Sequence, residues 1–271
     1  MSYQITFLGT GTSTGIPMIG CHCSVCTSTD SRDKRLRTSI RIETPQGKSI
    51  LIDTGPDLRA QLLQNNITKV DCALITHDHA DHLHGIDDLR PLTFGKSAKE
   101  IPLFALQEHT EMIRPRFPYI FDSANHFGAE GPIGGGIPLL SLSSISPGQQ
   151  SIAGEDFIFF KLPHGNQCTL GFYLAGMAYL IDCHEIPDKV VQILKSLPLK
   201  ILIIDCLQEA EHRTHLSLQR CFHFIQLLRP KKAYLIHMGH DLGHEKLENI
   251  AHERFAHQVH VAYDGLKILL D

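Results

Sequence analysis

The chain contains no tryptophan and no long uninterrupted apolar run, although hydrophobic residues make up 42% of its 271 residues. No window approaches the roughly 20 apolar residues that a membrane-spanning helix needs. The first residues, MSYQITFLGTGTSTG, lack the basic and apolar segments of a secretory signal. We therefore expect a cytoplasmic globular protein without membrane contacts, long enough to bury a substantial core.

An excess of positive charge is also missing. Lys and Arg number 25 against 29 Asp and Glu, a net charge of -4 with histidine neutral. This balance argues against electrostatically driven binding to nucleic acid or to an anionic membrane. As partners we expect a small molecule and, as an option, a second copy of the chain in a homodimer. In the reducing cytosol, cysteines are typically free or metal-bound rather than paired in disulfides. The eight cysteines are residues 21, 23, 26, 72, 168, 183, 206 and 221.

Short apolar runs alternate with helical patterns, which is typical of an α/β protein. The connections TPQGK, LAGM and YDGL carry turn residues suited to hairpins, so the sheets should contain antiparallel pairs. We predict two mixed sheets with helices outside them. The predicted strands are 3–8, 39–44, 49–53, 72–76, 101–105, 156–162, 169–174, 177–182, 200–205, 232–237 and a closing pair, VHVAY and KILL.

Two segments predict amphipathic helices, IPDKVVQILKSL (186–197) and LSLQRCFHFIQLL (216–228), each with an apolar face suited to core packing. The glycine-rich segment GAEGPIGGGIP, residues 128–138, is either a linker or a flap over a site. The metal-binding pattern described next needs residues from both sides of it. We therefore predict a single domain over residues 1–271, with 128–138 as a flap.

The segment HDHADH, residues 77–82, directly follows the apolar run CALIT and is the strongest chemical signal in the chain. Alternate side chains of an extended segment project to one side, so His77 and His79 can bind one cation. Asp81 and His82, where a helix begins, can bind a second. Imidazole and carboxylate suit Zn²⁺, Mn²⁺ or Fe²⁺. The alternative is a solvated histidine-rich loop, which the position at a strand end disfavours.

Three other apolar runs end on a residue that can donate to a metal. FIFFKLP leads to His164, and two copies of AYLI lead to Asp182 and His237. Taken singly, a strand-end Asp or His more often has a structural role. Buried strands fix their last residue rigidly, as a preorganised ligand set requires, so together with HDHADH these residues indicate a metal site.

The stretch CHCSVC places Cys21, Cys23 and Cys26 close together without a fourth cysteine nearby. Either these are ordinary thiols, or another segment completes a tetrahedral zinc site. The preceding loop GTGTSTG, residues 9–15, lacks the lysine of a phosphate-binding loop, and we interpret it as a strand-end loop leading to the cysteines.

HDHADH with a later His, Asp and His resembles the metallo-β-lactamase superfamily, whose motif is HxHxDH followed by those three ligands. The resemblance implies an αβ/βα sandwich and a binuclear site in which Asp182 bridges both metals. Asp53, in ILIDTG, matches the carboxylate that supports the ligand histidines in that superfamily. The implied ligands are His77, His79 and His164 on one metal and Asp81, His82 and His237 on the other.

The cysteines narrow the resemblance to PhnP-type phosphodiesterases, in which three such cysteines and a distant histidine hold a structural zinc. In that family the histidine lies three residues beyond the last catalytic ligand. Here the last catalytic ligand is His237, so the zinc histidine is His240 in HMGH. His22 is the competing ligand, but it lies between two cysteines that both enter the site. Three residues span about 10 Å, so the zinc site should lie near the active site and hold the N-terminal loop against the loop bearing His237.

The resemblance also nominates His215, in THLSLQ, as a catalytic histidine, although a histidine near a helix start is usually a surface residue. A metal-bridged hydroxide would attack phosphorus while His215 stabilises the transition state or protonates the leaving group. Arg90, in DDLRPL, is either a second-phosphate ligand or, more in keeping with its position, a helix-surface residue.

We therefore expect a binuclear phosphodiesterase that acts on small, cyclic ribose or nucleoside phosphates and uses two divalent cations, Mn²⁺ or Zn²⁺, and one structural Zn²⁺. The alternatives are a carboxylic ester, thioester or lactone hydrolase, and a nuclease like the tRNA 3′-processing enzymes. The latter normally needs a basic arm, which this chain does not show. A non-enzymatic protein like those of PQQ biosynthesis shares the cysteines, but a complete ligand set disfavours it.

Overall fold

The computed structural model describes residues 2–94, 99–127 and 136–271. Within them lie the strands β1 Tyr3–Gly9, β2 Ser39–Glu43, β3 Ser49–Ile52, β4 Cys72–Leu74, β5 Ile101–Leu106, β6 Leu140–Ile145, β7 Gly148–Ile152, β8 Glu155–His164, β9 Gln167–Leu174, β10 Met177–Leu180, β11 Ile201–Asp205, β12 Lys232–Ile236, β13 Val259–Val261 and β14 Lys267–Leu270. The α-helices are α1 Leu58–Gln64, α2 Ala80–Leu83, α3 Gln107–Arg116, α4 Pro118–Phe121, α5 Ser123–Phe127, α6 Asp188–Lys195, α7 Leu218–Leu228 and α8 His244–Phe255.

The strands form two sheets of seven, in the orders β14-β1-β2-β3-β4-β5-β6 and β13-β12-β11-β10-β9-β8-β7. In the first sheet β14, β1, β2 and β3 pair antiparallel, and the pairs from β3 to β6 are parallel. The second sheet has the same division, antiparallel from β7 to β10 and parallel from β10 to β13. Both sheets are therefore mixed, as the sequence predicts.

The core forms three apolar layers, because each strand presents alternate residues to its two faces. The layer between the sheets contains Phe7, Ile42, Phe159 and Tyr234. A second layer lies between the second sheet and helices α6, α7 and α8, and a third lies between the first sheet and helices α1, α3 and α4. The arrangement is the expected αβ/βα sandwich.

The hairpins predicted at TPQGK and LAGM join β2 to β3 and β9 to β10. The prediction at YDGL is wrong, because β13 lies at the edge of the second sheet and β14 at the edge of the first. The glycine allows the chain to turn sharply after β13. The turn does not make β14 pair with β13, and β14 pairs with β1 of the first sheet instead. Strands β6 and β7 escaped prediction because LSLSSI and GQQSI are short and largely polar.

The two predicted amphipathic helices are α6 and α7, and each is shorter than its segment. The side chains of Val190, Leu194 and Phe222 are buried in the layer outside the second sheet. No helix in the described ranges is both long and apolar enough to cross a membrane. The segment 128–138, predicted as a flap, lies mostly outside the described residues.

Candidate metal centre and its surroundings

The predicted donors meet at one edge of the sandwich, where several strands end. His77 and His79 follow β4, and His164 ends β8. The ring centroids of His77 and His79 are 4.4 Å apart, and those of His79 and His164 are 5.0 Å apart. Two of the groups whose donor atoms all lie within 4.8 Å of one another make up what we call the histidine–aspartate centre: His77, His79, His164 and Asp81, His82, Asp182, His237.

Asp182 lies between the two groups. Its Oδ2 is 3.8 Å from His77 Nε2 and 3.2 Å from His82 Nε2, and its Oδ1 is 3.1 Å from His237 Nδ1. One carboxylate therefore faces donors of both groups, the position that a bridging ligand requires.

Three residues of the site adopt a left-handed backbone conformation that non-glycine residues rarely take. The φ angles are +67° at Asp53, +49° at Asp182 and +63° at His237. Asp53 and His237 directly follow strands β3 and β12, and Asp182 lies two residues after the end of β10, so the surrounding sheet fixes the direction in which each side chain points.

Asp53 lies directly against one of the donor histidines. Its carboxylate is 2.8 Å from His82 Nδ1 and accepts hydrogen bonds from the backbone N–H and the hydroxyl of Thr76. The Thr76 hydroxyl is also 3.1 Å from His77 Nδ1. These contacts hold the two imidazoles with Nε2 turned toward Asp182.

Further support comes from residues that the sequence did not indicate. His164 Nδ1 donates to the carbonyl of Thr214 at 2.9 Å, and His237 Nδ1 lies 3.0 Å from the hydroxyl of Thr38. The Oγ of Thr12, in the loop after β1, is 3.3 Å from His237 Nε2. The loop 9–15, predicted only as a connection to the cysteines, therefore also touches the centre.

Asp78, the remaining acid of HDHADH, is bound away from the donors. Its carboxylate pairs with His109 Nδ1 at 2.8 Å and with Arg116 at 2.9 Å. His109 Nε2 lies 2.9 Å from the carbonyl of Cys168. These contacts link the HDHADH segment to helix α3 and strand β9, and so fix its course.

The electrostatics of the centre fit a bound cation. Burial lowers the pKa of His77 and of His237, and it lowers the pKa of His164 to about 4. Burial alone would lower the pKa of His82 too, but the carboxylates of Asp182, Asp81 and Asp53 outweigh it and raise that pKa. Neutral imidazoles are the form that coordinates a metal.

Three buried polar atoms here, Nε2 of His77, Nε2 of His82 and Oδ1 of Asp182, make no correctly directed hydrogen bond within the described residues, although the latter two lie within 3.2 Å of a neighbouring donor. Buried polar atoms are normally paired, so this concentration of unpaired atoms needs a further ligand. Nitrogen and carboxylate oxygen donors at this spacing suit Zn²⁺, Mn²⁺ or Fe²⁺.

His215 lies beside the centre, ahead of helix α7. Its ring centroid is 4.9 Å from those of His164 and His237, and its Nδ1 is 3.0 Å from Asp205 Oδ2. Burial opposes charge on this imidazole, but the Asp205 carboxylate outweighs burial and raises the pKa of His215 to about 9. Asp205 ends β11, so the strand-end rule applied to KILIID would have found it.

A separate set of donors, Cys21, Cys23, Cys26 and His240, lies outside the histidine–aspartate centre, and we call it the cysteine cluster. His240 Nδ1 is 3.2 Å from the sulfur of Cys21, 3.6 Å from that of Cys23 and 3.7 Å from that of Cys26. His22 is exposed and does not belong to the cluster. The backbone N–H of Cys26 lowers the pKa of Cys23 to about 6, which favours the thiolate that zinc binds.

A buried arginine connects the cysteine cluster to the histidine–aspartate centre. Arg35 donates to the carbonyls of Gly239 and Leu242 at 3.1 and 2.6 Å, and pairs with Asp33 at 3.0 Å. Gly239 lies in the sequence between His237 and His240. Arg35 therefore fixes the segment that carries one donor of each cluster, and nothing in the sequence indicated it.

A cleft of about 440 Å³ opens above the centre. Its lining residues are Ser13, His79, Asp81, His164, Gly165, Asn166, Gln167, Asp182, Thr214, His215 and His237. Arg90 is not among them. It is exposed, donates to the Gly136 carbonyl and lies over the ring of Phe94, which agrees with the surface interpretation.

Comparison with known proteins places this geometry in a family. The profile described as beta-lactamase superfamily domain matches residues 48–238. A solved structure of a diphosphatase from the PhnP family is 34% identical, covers 100% of this chain and 98% of its own, and has a TM-score of 0.87. Zn²⁺-bound PqqB from Methylobacterium extorquens shares the fold, with a TM-score of 0.74, 16% identity, and coverage of 98% of this chain and 99% of its own.

An octanoyltransferase of Porphyromonas gingivalis is 36% identical over 266 residues. The match takes in 97% of this chain but 51% of that relative, so the chain spans about half its length. The profile match, the similarity to the PhnP-family diphosphatase and the αβ/βα sandwich agree. The chain belongs to the metallo-β-lactamase superfamily of hydrolases.

Proposed function

We propose that this chain is a binuclear metal-dependent phosphodiesterase that hydrolyses small phosphodiesters, in particular cyclic ribose or nucleoside phosphates. The observation that carries the proposal is the grouping of His215 with His164 and Asp182, donor atoms within 4.8 Å of one another. The His215 imidazole, held by Asp205, would then lie beside the phosphoryl group, where negative charge develops. The similarity to a PhnP-family diphosphatase also supports phosphoryl chemistry.

The proposed ligands follow the two donor groups. His77, His79 and His164 would hold one divalent cation, and Asp81, His82 and His237 the other, with Asp182 between them. When bound, Mn²⁺ or Zn²⁺ supplies Lewis acidity that neutralises phosphoryl charge and lowers the pKa of water from about 16 toward about 7. The cysteine cluster would hold a structural Zn²⁺.

The chain's own groups perform the remaining work. His215, held by Asp205, would donate a proton to the departing alkoxide or a hydrogen bond to a phosphoryl oxygen. Asp53 would keep His82 in the tautomer that presents Nε2 to the site. A neutral acyl group would gain less than an anionic phosphoryl group from a hydrogen bond donated by His215, so the arrangement favours a phosphodiester over a carboxylic ester or thioester.

A substrate panel on one Mn²⁺-loaded preparation tests this proposal. We expect turnover of bis(p-nitrophenyl) phosphate and of nucleoside 2′,3′-cyclic phosphates, and little turnover of thioesters, lactones or tRNA precursors. Fast thioester or lactone hydrolysis without diester hydrolysis would support the carboxylic ester alternative. Cleavage confined to tRNA precursors would support the nuclease alternative.

A further inference from the structure

The cleft above the histidine–aspartate centre is lined by uncharged polar side chains outside the donors and His215. These are Ser13, Asn166, Gln167 and Thr214. No lysine or arginine of the described residues is among the lining residues. Such a lining offers hydrogen bonds to neutral groups of a substrate and gives no charge compensation for an additional anion.

Asn166 and Gln167 lie where the turn of the β8–β9 hairpin meets β9, next to the donor His164. His164 and Gln167 are paired across the antiparallel ladder, and Gly165 has a φ of +61°. A Cβ at Gly165 would lie 2.9 Å from the Thr214 methyl, so only glycine fits this contact. The Thr214 carbonyl also accepts the His164 hydrogen bond. The hairpin turn is therefore held at a fixed place beside the donors.

Cations near the cleft are already paired or point elsewhere. Arg37 pairs with Asp57 and donates to the Ser13 carbonyl. Arg213 is exposed and does not line the cleft. An extra phosphate beside the centre would therefore meet no unpaired lining cation from the described part of the chain.

A second cleft, of about 460 Å³, shares Asn166 and Gln167 with the first. Its other lining residues are Asp78, Glu108, His109, Glu111, Met112, Lys161 and Cys168. The lysine is bound to Glu108, which leaves this cleft acidic. An additional phosphate is disfavoured on this side of the hairpin turn as well.

We propose that Ser13, Asn166, Gln167 and Thr214 form a neutral specificity rim that binds the hydroxyl-bearing arm of a phosphodiester and selects against substrates with a second phosphate. This inference rests on the proposed phosphodiesterase function and narrows its substrate class. The rim accepts a sugar-like arm through amide and hydroxyl hydrogen bonds, each directional and sensitive to the partner's identity.

A matched pair of substrates tests the rim. Adenosine 2′,3′-cyclic phosphate carries a neutral 5′-hydroxyl, and its 5′-phosphorylated form adds only a second phosphate. We expect kcat/KM to be at least about fivefold lower for the phosphorylated form. An equal or higher value for the phosphorylated form overturns the rim while leaving diester hydrolysis intact. Absence of turnover on both substrates and on bis(p-nitrophenyl) phosphate overturns the proposed function as well.

A charge substitution on the rim sharpens the test. Gln167→Lys should raise the ratio of kcat/KM values, phosphorylated over unphosphorylated, by about fivefold. Gln149→Lys, on exposed residue Gln149 of β7, adds the same charge outside both clefts and should leave the ratio unchanged. Equal changes in the two variants would mean that general electrostatic attraction, and not the rim, sets the ratio.

Removal of the rim amides separates binding from folding. The double variant Asn166→Ala, Gln167→Ala should raise KM for the cyclic nucleotide several-fold at little cost to kcat, because each lost neutral hydrogen bond weakens binding by about 1 kcal/mol. The KM for bis(p-nitrophenyl) phosphate, which has no hydroxyl arm, should rise by a clearly smaller factor. Equal losses on both substrates would show a structural role and overturn the rim.

Discussion

The histidine–aspartate centre and the cysteine cluster differ in what holds their donors. In the former, donors follow buried strands, and side chains such as Asp53 and Thr38 fix the imidazoles. In the latter, donors lie on a loop that is partly exposed, and backbone N–H groups of Met18 and Cys26 approach the sulfurs. The comparison indicates that the fold preorganises the first site, whereas the second would depend on a bound metal for its order.

We expect the largest effect from a substitution that disrupts the histidine–aspartate centre and leaves the cysteine cluster intact. Asp182→Asn keeps the shape but removes the shared negative charge, so kcat for bis(p-nitrophenyl) phosphate should fall on the order of 10³-fold. Metal analysis should show loss from the histidine–aspartate centre and retention of one zinc per chain at the cysteine cluster. Asp188→Asn, at an exposed position on α6, is the matched control and should be silent. Near-normal turnover of Asp182→Asn would contradict the bridging role.

A change at His215 should separate chemistry from metal binding. His215→Gln removes the imidazole held by Asp205, and kcat should fall on the order of 10²-fold while the metal content stays the same. The measurement is steady-state turnover with metal analysis on the same sample. His223→Gln, on the exposed face of α7, is the control. Metal loss in His215→Gln would reassign the residue as a ligand.

In variants of the cysteine cluster, stability and zinc content should fall more than activity does. Cys23→Ser should first lose its zinc and lower the Tm, and then lose activity about tenfold because the segment bearing His237 moves. His240→Ala should behave alike, and His22→Ala should keep the zinc. Thermal unfolding, zinc content and turnover are measured together. Full activity without this zinc, or zinc loss with His22→Ala, would refute the arrangement.

The smallest effect concerns Asp264, which accepts hydrogen bonds from Thr10 and Leu36 near the segment that joins the two sites. Burial raises the pKa of Asp264 from 3.8 to about 7. The folded protein therefore binds this proton more tightly. The stabilisation of the folded state by this bound proton is complete below about pH 4 and is lost as the pH rises through about 7.

The free energy of unfolding of the wild type should therefore fall between pH 5 and pH 8 by about 2 kcal/mol more than that of Asp264→Asn. Urea unfolding at the two pH values measures the difference, with Asp188→Asn as control. Parallel pH dependences of wild type and Asp264→Asn would show that this carboxyl does not carry the effect.

The sequence predicted the donors far better than their supports. The donors of HDHADH lie in one short segment. The other donors of the histidine–aspartate centre follow apolar runs that the sequence shows, so the sequence could indicate all of them. Arg35, Thr38 and His109 come from distant segments, and only tertiary packing brings them to the site. The proposal of His240 as the fourth donor beside the cysteines needed the family resemblance, because no spacing rule selects this residue.

The fold was predictable where hydrophobic pattern sets structure. The mixed sheets and outer helices follow from apolar runs and turn residues, but β6 and β7 are too polar for that signal. The hairpin predicted at YDGL was wrong because a turn sequence determines local geometry and does not determine which sheet the next strand joins. The rim residues Asn166 and Gln167 are ordinary turn residues in the sequence, and only the hairpin places them beside the donors.

Stepwise reloading of metal-free protein with Mn²⁺ tests the central claim most directly, with turnover of bis(p-nitrophenyl) phosphate as the readout. The account predicts no turnover without metal and full turnover once two ions per chain occupy the histidine–aspartate centre, at unchanged zinc in the cysteine cluster. Turnover that persists without metal at that centre, or that tracks only the zinc of the cysteine cluster, would contradict it.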